Sequence, residues 1–401
     1  NTTNKVAVQR FIKGSSDIGN LSKRGYRLLS STVYTGSENG VNFYDLSYLT
    51  NSVHLSGPGY AANGFDVTST ANPSIYLFRE DIPPPPSNST VFTTGYNWKG
   101  VAKINDAPLY KIGTQAKNTT ANIFDASYNL PVGNGILFFF RGDKTQAVTP
   151  VGPPNDVVLT QVGTLNTGTI KTNIWYAADN ALAANTFSFT DPSSDPAYIN
   201  SPVTLTSGFA LVGNPYPSTI NWEKYNKSGA AGALTGGVSA AIYMFNPQSH
   251  QFDAYIANTD NNTDFTSEFT NTSLDPNGGT ATGAASNFIA SGQGFFVVAT
   301  APGQTLTFNE TAKVSAQPTV ANLNKLMGKP VGMVAAAPKP LLRLKLSLDS
   351  VNTDDIAIRL DNKTSAKYVR GEDAADIGGN GNLVSLSSFS ADSIGVPLAI
   401  N

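Results

Sequence analysis

Three short blocks recur twice along the chain, in the same order. The first set is Gly25-Tyr26-Arg27-Leu28-Leu29, Ser74-Ile75-Tyr76-Leu77-Phe78 and Gly133-Asn134-Gly135-Ile136-Leu137-Phe138-Phe139. The second set is Gly208-Phe209-Ala210-Leu211-Val212, Ala241-Ile242-Tyr243-Met244-Phe245 and Gly292-Gln293-Gly294-Phe295-Phe296-Val297-Val298. Each block places aliphatic and aromatic residues at successive positions, so both faces of a strand are apolar. That pattern belongs to strands covered on both sides. Order and chemistry agree across all three blocks while the lengths between them differ, as expected where loops absorb insertions. The chain therefore reads as two tandem β-modules of similar plan.

The rest of the sequence agrees with an all-β fold. Short runs rich in Val, Ile, Thr, Tyr and Phe alternate with Gly, Asn, Asp, Ser and Pro, the pattern of tandem β-sandwich-like modules of jelly-roll or immunoglobulin-like type. Only Thr319 to Met327 has helical spacing, ended by Gly328 and Pro330. The expected organisation is a first β-module over 1–155 and a second over 156–311. A Pro/Ala-rich linker over 312–340 and a partial C-terminal β-module over 341–401 follow. Pro83 to Pro86 form a rigid extended piece within the first module. In the last region Leu342, Leu344, Leu346 and Leu348 alternate with polar residues, which predicts a strand with one wet face. About sixty residues are marginal for an independent sandwich. Either the region is incomplete, or its open sheet edges are completed by another chain.

Composition narrows the function. The chain of 401 residues is 13% charged and 40% hydrophobic, with 39 Asn and no Cys. The hydrophobic fraction excludes wholesale disorder. A net charge of −2 leaves no electrostatic footprint for nucleic acid. The lack of Cys excludes a disulfide scaffold and a Cys–zinc site, but not an extracellular location. No apolar run is long enough to span a bilayer. The polar start, Asn1-Thr2-Thr3-Asn4, carries no visible signal peptide, so a targeting segment is absent or already removed.

Catalytic signatures are missing. There are two His, His54 and His250, and no nucleophile elbow, His-Glu-x-x-His or phosphate loop. The expectation is a non-enzymatic protein, with a hydrolase using carboxylates from separate loops as the least favoured alternative. Asn258, Asp260, Asn262, Asp264 and Glu268 offer alternating oxygens to calcium, the one cofactor considered. A solvated turn is the favoured reading of that loop, and of the weaker group Glu372, Asp373 and Asp376. Trp98, Trp175 and Trp222 are candidates for stacking on a glycan, against the commoner fate of core packing.

The run Leu211-Val212-Gly213-Asn214-Pro215-Tyr216-Pro217-Ser218 resembles a recurrent segment of large secreted surface proteins of Bacteroidota. They are adhesin-like or uncharacterised, and many are exported by the type IX secretion system. Arg24 to Leu29, Phe139 to Asp143, Leu342 to Leu346 with Asp354-Asp355, and Leu398 to Asn401 are similar in order and kind to further parts of such proteins. The resemblance implies an extracellular, cell-surface location and a structural or adhesive role. Such proteins usually end in a sorting domain. None is recognisable here, so the chain is expected to be a fragment, a processed form or a subunit. Asp349-Ser350-Val351 and Asp392-Ser393-Ile394 match an O-glycosylation pattern of these bacteria, which makes Ser350 and Ser393 candidates. The residues themselves assign a structural corner to Asn214, Pro215, Tyr216 and Pro217. Both prolines fix φ and restrict the residue before them, so a strand ends at Gly213. The partners expected are other copies of the chain in a homopolymer, or a cell-surface assembly. A glycan ligand is the alternative.

Overall fold

The computed structural model describes residues 5–14, 25–38, 41–78, 98–101, 104, 130–147, 154–174, 209–225, 238–247, 251–257, 280–282, 285–299, 304–314, 341–349, 352–359, 367–368, 373–378, 384–391 and 397–400. The fold is all-β, and its helical content among these residues is limited to short 3-10 turns. The Pro83–Pro86 run, the helical spacing at 319–327 and His250 lie outside the described residues.

The first unit contains β1 (Val6–Ile12), β2 (Gly25–Leu29), β3 (Val33–Tyr34), β4 (Gly36–Glu38), β5 (Val41–Tyr44), β6 (Ile75–Phe78), β7 (Trp98–Gly100), β8 (Leu130–Pro131), β9 (Ile136–Phe140) and β10 (Val157–Leu165). The second contains β11 (Ile170–Ile174), β12 (Phe209–Gly213), β13 (Ile220–Asn221), β14 (Ala241–Asn246), β15 (Gln251–Ile256), β16 (Thr280–Ala281), β17 (Phe288–Ile289), β18 (Gly294–Val298) and β19 (Gln304–Phe308).

The recurring blocks occupy matching places. The sheet of the first unit runs β2-β9-β6-β7, and that of the second runs β12-β18-β14-β15-β16. In each, the first block pairs with the third, which pairs with the second, and a hairpin strand follows. The framing strands correspond too, with β1 on β10 and β11 on β19. β10 zips onto β1 along its length, from Val6 opposite Gly163 to Ile12 opposite Val157. The first unit therefore extends to Leu165, and the break expected at residue 155 falls before Ile170 instead. The expected linker also starts later than 312. Ala312 is buried, Lys313 bridges Ile220, and the Val314 N–H donates to Thr219 O at 3.0 Å.

The two main sheets meet face to face. One side of β2, β6 and β9 (Leu29, Ile75, Leu77, Ile136, Phe138) packs on the core of its own unit with Ile12, Tyr44 and Leu159. The other side (Leu28, Phe78, Leu137) packs on Leu211 and Phe296 of the second unit, with the Phe78 and Phe296 rings 4.9 Å apart edge to face. Main-chain bonds cross the seam in pairs related by the repeat. Leu29 bridges Gln293 and Val212 bridges Asn134, while Ser30 N donates to Gly292 O at 2.9 Å and Gly213 N to Gly133 O at 2.8 Å. Gly133 and Gly292 hold φ at +99° and +63°, a left-handed turn that a side chain would strain. Here the duplication in sequence becomes a pseudo-two-fold in space.

The third sheet runs β20 (Leu341–Ser347), β21 (Thr353–Arg359), β24 (Pro397–Ile400) and β22 (Ala374–Ala375), with β23 (Ser388–Phe389) also on β24. It is open, with β20 at one edge. It leans on the second unit through Ala357, Ala374, Ile377 and Ile400, and the Phe252 N–H donates to Gly378 O at 3.2 Å.

Candidate functional site

Asn214 is fully buried, and its Nδ2 donates to Ser218 O, Ile289 O and Ala290 O at 2.8, 3.0 and 3.1 Å. Its Oδ1 accepts the Tyr216 N–H at 3.0 Å. Pro215 and Pro217 direct the chain around this clamp, and the Tyr216 hydroxyl donates to Gly168 O at 2.6 Å. The arrangement fixes backbone and leaves no group exposed for chemistry.

The tryptophans considered as candidate sugar platforms are core residues where they are described, the commoner fate of such side chains. Trp98 is 6% exposed and lies edge to face with Phe78 and Phe296, at 5.2 and 5.9 Å. Trp222 is fully buried, its Nε1 donating to Ala240 O at 2.8 Å. Neither ring presents a face to solvent, because aromatic burial between packed sheets outweighs leaving it wet. Trp175, the calcium loop Asn258, Asp260, Asn262, Asp264 and Glu268, and the candidate glycosylation sites Ser350 and Ser393 lie outside the described residues. Among the described residues, no group of three or more His, Asp or Glu is placed to hold a metal.

Two acidic arrangements escaped sequence reasoning. Glu223 is buried and accepts the Tyr255 hydroxyl, while the Glu223 N–H donates to Asn221 Oδ1 at 3.0 Å. This pair is internal and ties the chain after the corner to β15. The other lies where the third sheet meets the second unit. Burial pushes the Asp354 carboxyl up to about 7, opposed by the Leu386 N–H that donates to it at 2.7 Å and reinforced by the nearby charges of Asp376 and Asp253. Burial also raises Asp376, against a 2.9 Å bond from the Gly378 N–H. Asp253 accepts from Asn246 Nδ2 at 3.0 Å. The sequence offered Asp354-Asp355 and, separately, the weaker group with Asp376, with nothing to say that Asp354 and Asp376 come together or which acid is covered.

The least satisfied surface is the leucine row on β20. Leu342, Leu344, Leu346 and Leu348 are 47, 44, 41 and 69% exposed. Alternation predicts that these residues face a core; instead both faces of β20 are wet. Leu344 lies opposite Ile356, which is buried, so the same face is covered over β21 and open over β20. The result is an apolar shelf beside an edge that is unpaired among the described residues. A second open face lies on β1 and β10. Ala7 opposes Val162, Gln9 opposes Thr160, and Phe11 opposes Val158. Phe11, Val158 and Val162 are 40, 45 and 55% exposed, whereas Ile12, Val157 and Leu159, on the opposite face of the same strands, are buried.

Residues 87–324, more than half of the chain, match the profile of a domain of unknown function, DUF8693. The chain belongs to this family. No curated protein and no solved structure matches it significantly. The DUF8693 span takes in β7 to β19, and with them the Asn214 corner and the second unit's half of the seam. Both open apolar faces, on β1–β10 and on β20, include strands beyond its limits: β1 lies before it and β20 after it. The DUF8693 match therefore names the scaffold and is silent on what those faces do.

Proposed function

We propose that this chain is a non-enzymatic structural or adhesive protein of the cell surface that works by associating with further copies of itself. The observation that carries the reading is the leucine shelf: four leucines in a row, each more than 40% exposed, beside a strand edge that pairs with nothing among the described residues. Apolar patches of this kind mark interaction surfaces, and open edges invite pairing with another chain. The low charge fraction supports it, since little electrostatic repulsion keeps copies apart. The resemblance of the corner segment to secreted surface proteins of Bacteroidota supports an extracellular location, with type IX export as the proposed route. Of the described residues, no helix is long and apolar enough to cross a membrane.

The test is the state of the purified chain across a wide concentration range, by sedimentation velocity and electron microscopy. Concentration-dependent dimers, oligomers or filaments are expected. A single monomeric species at every concentration would remove the proposal. Glycan recognition has lost the faces of Trp98 and Trp222 as its platform, and no other observation favours it.

A further inference from the structure

We propose that the joint between the third sheet and the second unit is a latch worked by pH, closed in acid and loosened towards neutrality. It does not depend on the self-association reading. The grip of the joint is polar. The Phe252 N–H on β15 donates to Gly378 O at 3.2 Å, Gln251 Nε2 to Val384 O at 2.9 Å, and the Ala375 N–H to the Tyr243 hydroxyl at 3.1 Å. Apolar support comes mainly from small side chains, Ala357 and Ala374 beside Ile377 and Ile400. Opening takes the acceptor from the Phe252 N–H and uncovers the first half of the β15 edge, since among the described residues β16 pairs only with Tyr255 and Ile256.

Three carboxyls meet at this joint, from elements on both sides of it. Asp253 lies on β15 and is buried. Asp354 shares a face of β21 with the buried Ile356, and Asp376 follows β22. Asp354 and Asp376 also hold the residues that make the grip. Asp376 accepts the Gly378 N–H at 2.9 Å, and Gly378 receives Phe252. Asp354 accepts the Leu386 N–H at 2.7 Å, just beyond Val384, which receives Gln251.

Among the described residues, the charges acting on Asp354 are all negative. β15 supplies Asp253, bonded to Asn246 Nδ2 of β14, and the turn after β22 supplies Asp376. The β20 residue opposite Asp354 is Leu346. Arg343 and Lys345 belong to the other face of β20, where Arg343 Nη1 bonds Asp355 Oδ2 at 2.6 Å and Lys345 lies opposite Asp355. Asp373, next to Ala374, is a further buried acid. Burial, opposed by the Leu386 N–H and reinforced by Asp376 and Asp253, raises Asp354 to about 7, and burial raises Asp376 as well. In the open joint the Asp354 carboxyl returns to its ordinary value near 4. Below about pH 4 both forms keep the proton. From there to about pH 7 the open form alone gives it up, so closure weakens by up to about a thousandfold.

The experiment is hydrogen exchange on the full chain, kept monomeric and with chelator present, at pH 5, 6, 7 and 8, with exchange times scaled for the intrinsic effect of pH. Protection at Phe252, Ala375, Gly378 and Leu386 should fall tenfold or more from pH 5 to 8, while β12 and β18 in the seam hold theirs. Asp354→Asn, neutral and of the same shape, should keep the joint protected across the range. Wild-type protection that does not change with pH overturns the latch, and this arm stands even if the variant folds poorly. Equal loss in the seam overturns it too, because the whole chain is then opening. So does a folded Asp354→Asn that loses protection as the wild type does. Full protection at pH 8 once calcium chloride replaces the chelator would mean that a cation closes the joint in place of the proton, and the proposal falls.

Discussion

Asn214 shows how much of a corner can rest on one side chain. Its amide group supports three carbonyls and one N–H, all inside the protein. Replacing it with Ala leaves those groups without partners and without water. Loss of such bonds costs about 1–3 kcal/mol for a buried group. Asn214→Ala should therefore lower stability by about 2–3 kcal/mol, read as a lower denaturant midpoint at unchanged slope. Asn214→Asp should cost at least as much, because it brings an acceptor to carbonyls that need a donor. The turn itself is legible in the sequence, since two prolines act on their immediate neighbours. The clamp is not, because Ile289 and Ala290 lie 75 and 76 residues away. Core packing of Trp98 and Trp222 is the commoner fate of such residues, but composition cannot say which sheet each one faces.

At the scale of the element, the recurring blocks are the part of the fold most readable in sequence. Their apolar residues on both faces anticipate strands covered twice, and the glycines flanking them sit where the sheets come closest. A Cβ on Gly294 would lie 2.9 Å from Leu28 Cβ and 3.0 Å from the Leu28 carbonyl carbon. Gly294→Ala should push β2 away from β18, at a cost of about 1–3 kcal/mol, visible as a drop in melting temperature. The end of the first unit was less legible. Val157–Leu165 reads as a strand, but only its partner β1, far earlier in the chain, decides which unit owns it.

 The pairing sets Ile12 opposite Val157 and Val6 opposite Gly163, a contact across most of the first unit. The leucine alternation of β20 was plain, but alternation says only that one face is apolar, not that anything covers it. The contact of the third sheet with β15 carries its own pH dependence. The Asp354 carboxyl is raised to about 7 by burial, so the folded chain holds a proton that the unfolded chain releases near its ordinary value. The contribution of this carboxyl to stability is then fully present below about pH 4 and is lost as pH rises through the window to about 7. Asp354→Asn keeps the shape without the proton, and should flatten that slope in denaturant titrations at pH 4.5, 6 and 8. An unchanged slope would assign it to other groups, with Asp376 the next to test.

At the scale of the whole molecule, the three sheets are not equally bound to one another. The first two units share main-chain bridges at both ends of their pseudo-two-fold, and Leu28, Phe78 and Leu137 join the second unit's core cluster. Neither main sheet can leave without exposing the inner face of the other, so the two should unfold together. The third sheet joins that cluster through small side chains, Ala357, Ala374 and Ala399 beside Ile377 and Ile400, while its β20 edge remains wet. Less apolar area is lost when it opens, and local opening free energies follow such differences. Differential scanning calorimetry under conditions that keep the chain monomeric should resolve a small transition for the third sheet below a larger one for the paired units. Raising the pH from 5 to 8 should move the small transition down, through Asp354, and leave the large one nearly in place. Gly294→Ala should do the reverse, lowering the large transition because its clash lies in the seam. A wild-type scan with one transition that both changes shift equally would mean that the third sheet is an integral part of the same cooperative unit. Self-association should then raise the small transition with concentration, since binding to the folded shelf stabilises the sheet that carries it.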